Sequence, residues 1–417
     1  MRITGPGYKW AMLALLFCVG GLNYCDRVAL AAVFPLIRAD LKMGDIGLGA
    51  VGSVFLWSYA LASPFAGFLA DRVSRSRLIV WTLTGWSLIT IVTGLAATEQ
   101  QLLLTRVLLG LVEAAYLPAA MALIADYHSS STRGTALGIH TAGLTFGLVA
   151  GGLISGYLGE HFGWRLGFFC LGAVGLALAA AAALVLRDAP RANLGRTEAE
   201  PALRLRVRLG LIARTPSFLL IILAGMSMAI GNNIFMNWLP LYFYDTYGMS
   251  LAQAGFAGTF ALQGMAVLAL ILGGMFSDRV AGKKTWRRMA IQMVCLAIAT
   301  PFLFIFFNPR PALGVLAACI LTFSFFLKFS DCNEVPVVCD LLPARMRSTA
   351  FGLMNTAKCI AGGIAVMVAG MLKSGHGLGP VFGAISGTTL LAAAILLPCY
   401  LFFLKGDLAR RRALAPA

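Results

Sequence analysis

The sequence predicts an all-α membrane protein with twelve transmembrane helices in two pseudo-symmetric six-helix bundles. Three observations carry this reading. Hydrophobic residues make up 59% of the 417 residues and charged ones 12%, roughly half the charged share of a soluble domain, with a mean hydropathy of +0.84. Twelve apolar segments reach the length, roughly 20 residues, that crosses a bilayer. Two short loop motifs occur twice, each time after the corresponding span of its half.

The first span is expected near residues 10–36, an apolar run interrupted by NYCDRVAL, Asn23 to Leu30. The second, near 47–70, runs into GFLADRVSRSR (Gly67 to Arg77), and the third follows near 78–97. The fourth, near 101–126, holds RVLLGLVEAAYLP. The fifth, near 134–157, follows RGTALG (Arg133 to Gly138); its Gly143, Gly147 and Gly151 have the small-xxx-small spacing that lets helices approach closely. The sixth, near 164–186, begins in GWRLGFF (Gly163 to Phe169). The seventh lies near 217–245, the eighth near 252–276 running into GMFSDRVAGKK (Gly274 to Lys284), the ninth near 289–307 and the tenth near 312–340. RSTAFG (Arg347 to Gly352) leads into the eleventh, near 348–372, and the twelfth lies near 380–403.

The one long polar stretch, 187–216, divides these spans six and six. The organisation expected is therefore an N-terminal bundle over 1–186, a cytoplasmic basic linker over 187–216, a C-terminal bundle over 217–404 and a cytoplasmic basic tail over 405–417. Within the linker, RLRVRLGLIAR has the pattern of a basic amphipathic helix on the membrane surface. Asp71 and Asp278 stand 207 residues apart in the two copies of the first loop motif, which argues for duplicated halves.

The net charge of +16 reports topology and not nucleic-acid binding. With the N-terminus in the cytoplasm, 24 of the 33 Lys+Arg fall at cytoplasmic ends and five on the opposite side (Arg38, Lys42, Arg165, Arg310 and Lys373). That is the positive-inside pattern, and it puts both termini in the cytoplasm. Nine cysteines fall within the spans without CxxC or zinc-finger spacing, so neither a disulfide framework nor a metal site is expected, and no cofactor is called for. No N-x-[ST] sequon occurs, which favours a prokaryotic source and hence the bacterial inner membrane. The first span has no small-residue cleavage site, so it is read as an uncleaved helix.

Charges inside the spans carry the functional signal, because each costs several kcal/mol in lipid and marks an ion or substrate path by default. Eight are expected there: Asp26, Arg27, Arg106, Glu113, Lys328, Asp331, Glu334 and Lys358, four of each sign. Asn23 and Arg27 share a helix face with Tyr24 beside them, whereas Asp26 points about 100° away. Arg27 is expected to face the cavity and Asp26 its helical neighbours. Arg106 and Glu113 are seven apart and share a face, Gly110 between them allows close approach, and Pro118 is expected to bend the helix beyond them. A carboxylate whose charge depends on whether a cation stands near can carry a proton.

Lys328, Asp331 and Glu334 follow one another at i, i+3 and i+6, the spacing of a local salt-bridge ladder, and Lys358, near Asn355 and Thr356, is a possible partner for it or a site for a carboxylate. Tyr59, His140, Thr141, Asn232, Asn233, Asn237 and Gln263 are softer polar signals, each open to simple interhelical hydrogen bonding. In the duplicated loops, Asp71, Arg72 and Arg75, with Asp278 and Arg279, are candidates for a gating latch. There the aspartate would meet the N-terminal dipole of a neighbouring helix and the arginines would anchor in headgroups. Plain anchoring is the simpler alternative.

The duplicated G-x-x-x-D-R motif after the second and eighth spans resembles the cytoplasmic signature of the major facilitator superfamily. The first copy departs at Ser74 and Arg75, where the family places a glycine and then a base. Together NYCDR, RVLLGLVEAAYLP, GWRLGFF and MNWLPLYF resemble the anion:cation symporter branch, with the spinster-like lipid transporters more distant. The resemblance implies that Arg27 and Tyr24 contact an organic anion such as a sugar acid, that Asp26 and Glu113 take part in proton coupling, that Arg106 governs Glu113, and that Tyr59 lines the cavity. Asn23, His140, Asn233, Asn237, Lys328, Asn355 and Lys358 complete the expected substrate-binding set, and Asp331 and Glu334 the proton-coupling set. Lys328, Asp331 and Glu334 lie outside that branch's pattern, which keeps a zwitterionic or amphiphilic substrate open.

The expected activity is alternating access by a monomer: an anion enters a cavity among the first, fourth, seventh and tenth spans, pairs with Arg27, and a proton on Glu113 removes the competing charge. Partners are then a small-molecule substrate, a proton and membrane lipid, with no nucleic acid. A non-transporting sensor would need a longer signalling segment, and no HExxH, GxSxG or paired intramembrane aspartates speak for an enzyme. GLTFGLVAGG in the fifth span lacks the proline of an export-type antiporter motif, which favours uptake.

Overall fold

The computed structural model describes residues 7–188, 210–282 and 284–413. The side chains of some further residues, Asp71 among them, fall outside those described, as does most of the expected linker. Twelve helices among the described residues are long and apolar enough to cross a membrane: Tyr8–Ala32, Asp45–Ala66, Arg75–Gly94, Glu99–Tyr127, Thr132–Phe162, Trp164–Val185, Pro216–Tyr247, Leu251–Ala281, Thr285–Phe307, Leu313–Leu341, Thr349–His376 and Leu378–Arg411. Each lies over an expected segment. Their outward faces carry large apolar side chains such as Leu184, Phe65 and Phe402, as a lipid-facing surface requires.

Several spans are interrupted, and the interruptions follow from sequence. The first helix ends at Ala32, and Pro35 opens a separate short helix, Phe34–Asp40. The fourth span consists of Glu99–Glu113 and Tyr116–Tyr127, and the tenth of Leu313–Asp331 and Glu334–Leu341. Pro118 and Pro336 are each the third residue of the second segment. A proline there lacks the N–H that would bond back across the break, and its ring crowds the preceding turn. The ninth span changes to a 3₁₀ helix over Thr300–Phe307 beside Pro301.

The chain divides into two compact units. The first comprises Met1–Gly195 together with Met236–Phe260 and Val366–Met371. In it the first and fifth spans meet backbone to backbone: a Cβ on Gly147 would run into the Gly21 carbonyl oxygen. The second and fourth spans close in the same way, where a Cβ on Gly110 would lie 2.6 Å from the Phe55 carbonyl oxygen. Such contacts matter in lipid, where packing and not water expulsion drives helix association. The remaining pieces of this unit are tied in at the ends away from the basic loops. Trp238 donates from Nε1 to the Val366 carbonyl oxygen at 3.2 Å and packs its ring 5.7 Å from Phe34, while Arg38 reaches Asp45 and Asp245.

The second unit comprises Arg196–Phe235, Ala261–Ala365 and Leu372–Ala417. Phe235 is its packing centre, with ring centres 5.7, 5.9 and 4.9 Å from Phe306, Phe323 and Phe382. The described residues of the expected basic tail lie in a helix, Leu404–Ala413. Its Asp407 is buried and accepts from the Ser217 backbone N–H at 3.0 Å, at the start of the seventh span. A carboxylate at a helix start satisfies a free N–H and the helix dipole together.

Candidate functional site

The first unit collects four charges from two spans. Arg27 donates from Nε to Glu113 Oε2 at 2.9 Å. Glu113 is the last residue before the break in the fourth span, and its side chain has no exposed surface, whereas 20% of the Arg27 side chain stays exposed. Three rings surround the guanidinium: Tyr24 and Tyr59 at 4.7 Å and Phe55 at 5.3 Å. Each such contact is worth about 0.5–2 kcal/mol, more when desolvated, so the cation keeps favourable surroundings when its carboxylate is lost.

Asp26 turns away from this surface and is 1% exposed. Its Oδ2 accepts a 3.4 Å hydrogen bond from Thr90 Oγ1 of the third span. Arg106 is buried below Glu113 on the same segment, donates to Thr93 Oγ1 at 3.5 Å, and lies 5.9 Å from the Phe168 ring. Asp26 and Glu113 both act electrostatically on Arg106. Three atoms of the set, Asp26 Oδ1, Arg106 Nε and Glu113 Oε1, are buried with no hydrogen-bond partner. An unsatisfied group of this kind costs about 1–3 kcal/mol. The set is thus balanced in charge and short of partners, a condition a proton can change.

Not every expected residue joins it. Asn23 does, buried on the first span beside Glu113, but others stand apart. His140 has no exposed surface and packs against Gly20 and the Tyr116 ring, within the helix packing. Asn237 belongs to the first unit, against Gly52. Asn233 belongs to the second, where its Nδ2 donates to the Ala229 carbonyl oxygen and faces Gly362. Asn355 is exposed.

The second unit has its own charges, arranged otherwise than the expected ladder. Lys328 pairs with Asp331 at 3.1 Å, but Glu334 pairs across to Lys358 of the eleventh span at 2.6 Å. The ladder needs an unbroken helix from 328 to 334, and the break between Asp331 and Glu334 turns the second carboxylate away.

A model of the major facilitator superfamily matches residues 16–366. The chain belongs to that superfamily. Among its relatives, an MFS-type efflux pump of Mycolicibacterium smegmatis is 28% identical over 88% of this chain and 85% of its own. The probable galactarate/D-glucarate transporter GarP of Escherichia coli K12 is 25% identical over 97% and 96%. In fold, the chain is similar to the crystal structure of a bacterial homologue of the human lysosomal transporter Spinster, occupied and inward-facing, with a TM-score of 0.81 at 23% identity over 97% of this chain and 99% of that one. The protein is accordingly a multi-pass membrane transporter of the superfamily, and not an enzyme.

The superfamily loops make contacts with partners outside the motif. Arg75 donates to Asp126 at the end of the fourth span. The Ser76 backbone N–H, at the start of the third span, donates to Asp188 at 2.9 Å. In the second copy, Thr285 at the start of the ninth span donates to Asp340 at 2.7 Å, and Asp278 pairs with Arg288. Arg279 is exposed, and the side chain of Asp71 is outside those described. Among the described side chains, Asp126 and Asp188 meet the start of the third span and Asp340 that of the ninth. Thr90, Thr93, Phe55 and Phe168 are likewise additions to the site. The two threonines were visible as polar residues in an apolar span, whereas the two phenylalanines carried no distinguishing signal.

Proposed function

We propose that the protein is a proton-coupled symporter of a small organic anion, a carboxylate or sugar acid, working by alternating access. The observation that carries this is the Arg27–Glu113 pair, in which a partly exposed cation is neutralised by a fully buried carboxylate whose second oxygen is unpartnered. A proton on Glu113 frees Arg27 to hold an anion, and an anion on Arg27 favours a proton on Glu113. Each ligand raises the affinity for the other by the same factor, as linkage requires. The Tyr24, Phe55 and Tyr59 rings hold the guanidinium in place through the exchange. Arg106 and Asp26 set the local field from behind. Each charge moved down the membrane potential supplies about 2.3 kcal/mol per 100 mV, enough for modest accumulation.

The sugar-acid class draws support from the galactarate/D-glucarate relative, and uptake is the direction we favour. Export is the second reading, favoured by the efflux-pump relative. The positive-inside pattern supports cytoplasmic termini in a bacterial inner membrane.

A thermal-shift screen of purified protein against organic acids, amino acids and lysolipids at two pH values tests the substrate class. Stabilisation by organic acids that strengthens at the lower pH is expected. Proton-driven uptake in proteoliposomes that survives Glu113→Gln, together with normal binding by Arg27→Ala, would overturn the scheme.

A further inference from the structure

The second unit repeats the chemistry of the first at the corresponding break. Glu113 closes the first segment of the fourth span, and Glu334 opens the second segment of the tenth. Each meets a base from another span, Arg27 at 2.9 Å and Lys358 at 2.6 Å, and each keeps Oε1 buried without a hydrogen-bond partner. The base comes from the first span in one unit and from the eleventh in the other, so the resemblance lies in chemistry and not in strict symmetry.

Gly225 of the seventh span lies against this second carboxylate. A Cβ built there would stand 3.1 Å from Glu334 Oε1 and 2.6 Å from Lys358 Cε. The glycine therefore makes way for the Lys358–Glu334 pair, which a side chain there would crowd. Among the described residues no cluster of three His, Cys, Asp or Glu is placed to hold a metal ion. The charges acting on Glu334 are Lys358 from the eleventh span and Asp331 and Lys328 from its own. With Lys328 taken up by Asp331, Lys358 is the cation that Glu334 answers to.

We propose that Glu334 is a second proton-binding carboxylate, held by Lys358 and given room by Gly225, so that each unit carries one exchangeable proton. On binding, the proton adds to the carboxylate, and the contact with Lys358 changes from an ion pair to a hydrogen bond from Nζ to the neutral acid. A transport cycle that loads and empties both sites moves two protons. This deepens the reading of Glu113 as the first proton site and rests on it.

Infrared titration of the full-length protein in lipid nanodiscs, following the C=O stretch of carboxylic acids shielded from water, tests it without a substrate. Glu334→Gln is expected to remove one pH-dependent component, distinct from the component that Glu113→Gln removes. Gly225→Ala is expected to shift the midpoint of the first and leave the second in place. A Glu334→Gln spectrum that superimposes on wild type at every pH overturns the proposal. If that variant does not fold, an unmoved midpoint in Gly225→Ala overturns it instead. An unchanged spectrum for Glu113→Gln, with the Glu334 component lost as expected, would sink the reading of Glu113 and leave that of Glu334 standing.

Discussion

The guanidinium carbon of Arg27 lies 4.7 Å from the centre of the Tyr59 ring. Tyr59 is buried on the second span, so it presents a fixed face to a side chain that is partly exposed. Losing that face costs about 0.5–2 kcal/mol, which is about 2- to 30-fold in affinity. Tyr59→Leu should weaken binding of an organic acid by that factor, and Tyr59→Phe, which keeps the face, by less. Titration calorimetry with the acid that most stabilises the wild type measures both.

Arg27→Ala leaves Glu113 buried without its base. Breaking a buried pair from one side costs about 3–5 kcal/mol, less whatever the carboxylate recovers by taking up a proton. Adding Glu113→Gln removes the stranded charge, so the double variant should unfold at a higher temperature than Arg27→Ala alone. Thermal unfolding of the two purified proteins checks the order.

Gly147 and Gly138 belong to the same helix, Ser130–Phe162, with different surroundings. At Gly147 any Cβ meets the Gly21 carbonyl oxygen, whereas at Gly138 nothing stands within 4 Å. Gly147→Val should abolish accumulation of folded protein. Gly138→Ala should be harmless or stabilising by about 0.5–1 kcal/mol, because alanine fixes a helix better than glycine. Fluorescence-detected size exclusion reads the first and thermal unfolding the second.

Asp40, beyond the first span, accepts hydrogen bonds from Trp164 and Arg165. Slight burial pushes its carboxyl up, but these donors and the arginine charge outweigh that and hold it below the usual carboxylate range. The stability this contributes is complete above the ordinary aspartate value of about 3.9 and disappears as pH falls through the lowered one. The side chain is 41% exposed, so screening limits the contribution to about 0–1 kcal/mol. Melting temperatures of Asp40→Asn and wild type should therefore differ at neutral pH and converge in acid.

The spans and the four-charge set of the first unit were legible because a charge in an apolar run is costly enough to demand a reason. Burial of Asp26 against exposure of Arg27 follows from the turn angle between adjacent helical residues. In the tenth span the spacing of Lys328, Asp331 and Glu334 makes a full ladder only if the helix is continuous; the break leaves the Lys328–Asp331 pair and gives Glu334 to Lys358, the partner the sequence also offered. Pro336 was the available warning. The tail was read by its arginines, yet the acid among them, Asp407, is what docks it. Thr90 and Phe168 belong to the site through contacts between spans, which no periodicity along one span records.

The seventh, eighth and eleventh spans are each shared between the two compact units, with boundaries at Phe235/Met236, Phe260/Ala261, Ala365/Val366 and Met371/Leu372. Four of the five unit boundaries therefore fall inside helices and not in a connecting loop. The eighth span is itself jointed: its two segments, Leu251–Gln263 and Ala266–Ala281, part just beyond the boundary at Phe260. Compliance is thus built into the eighth span itself.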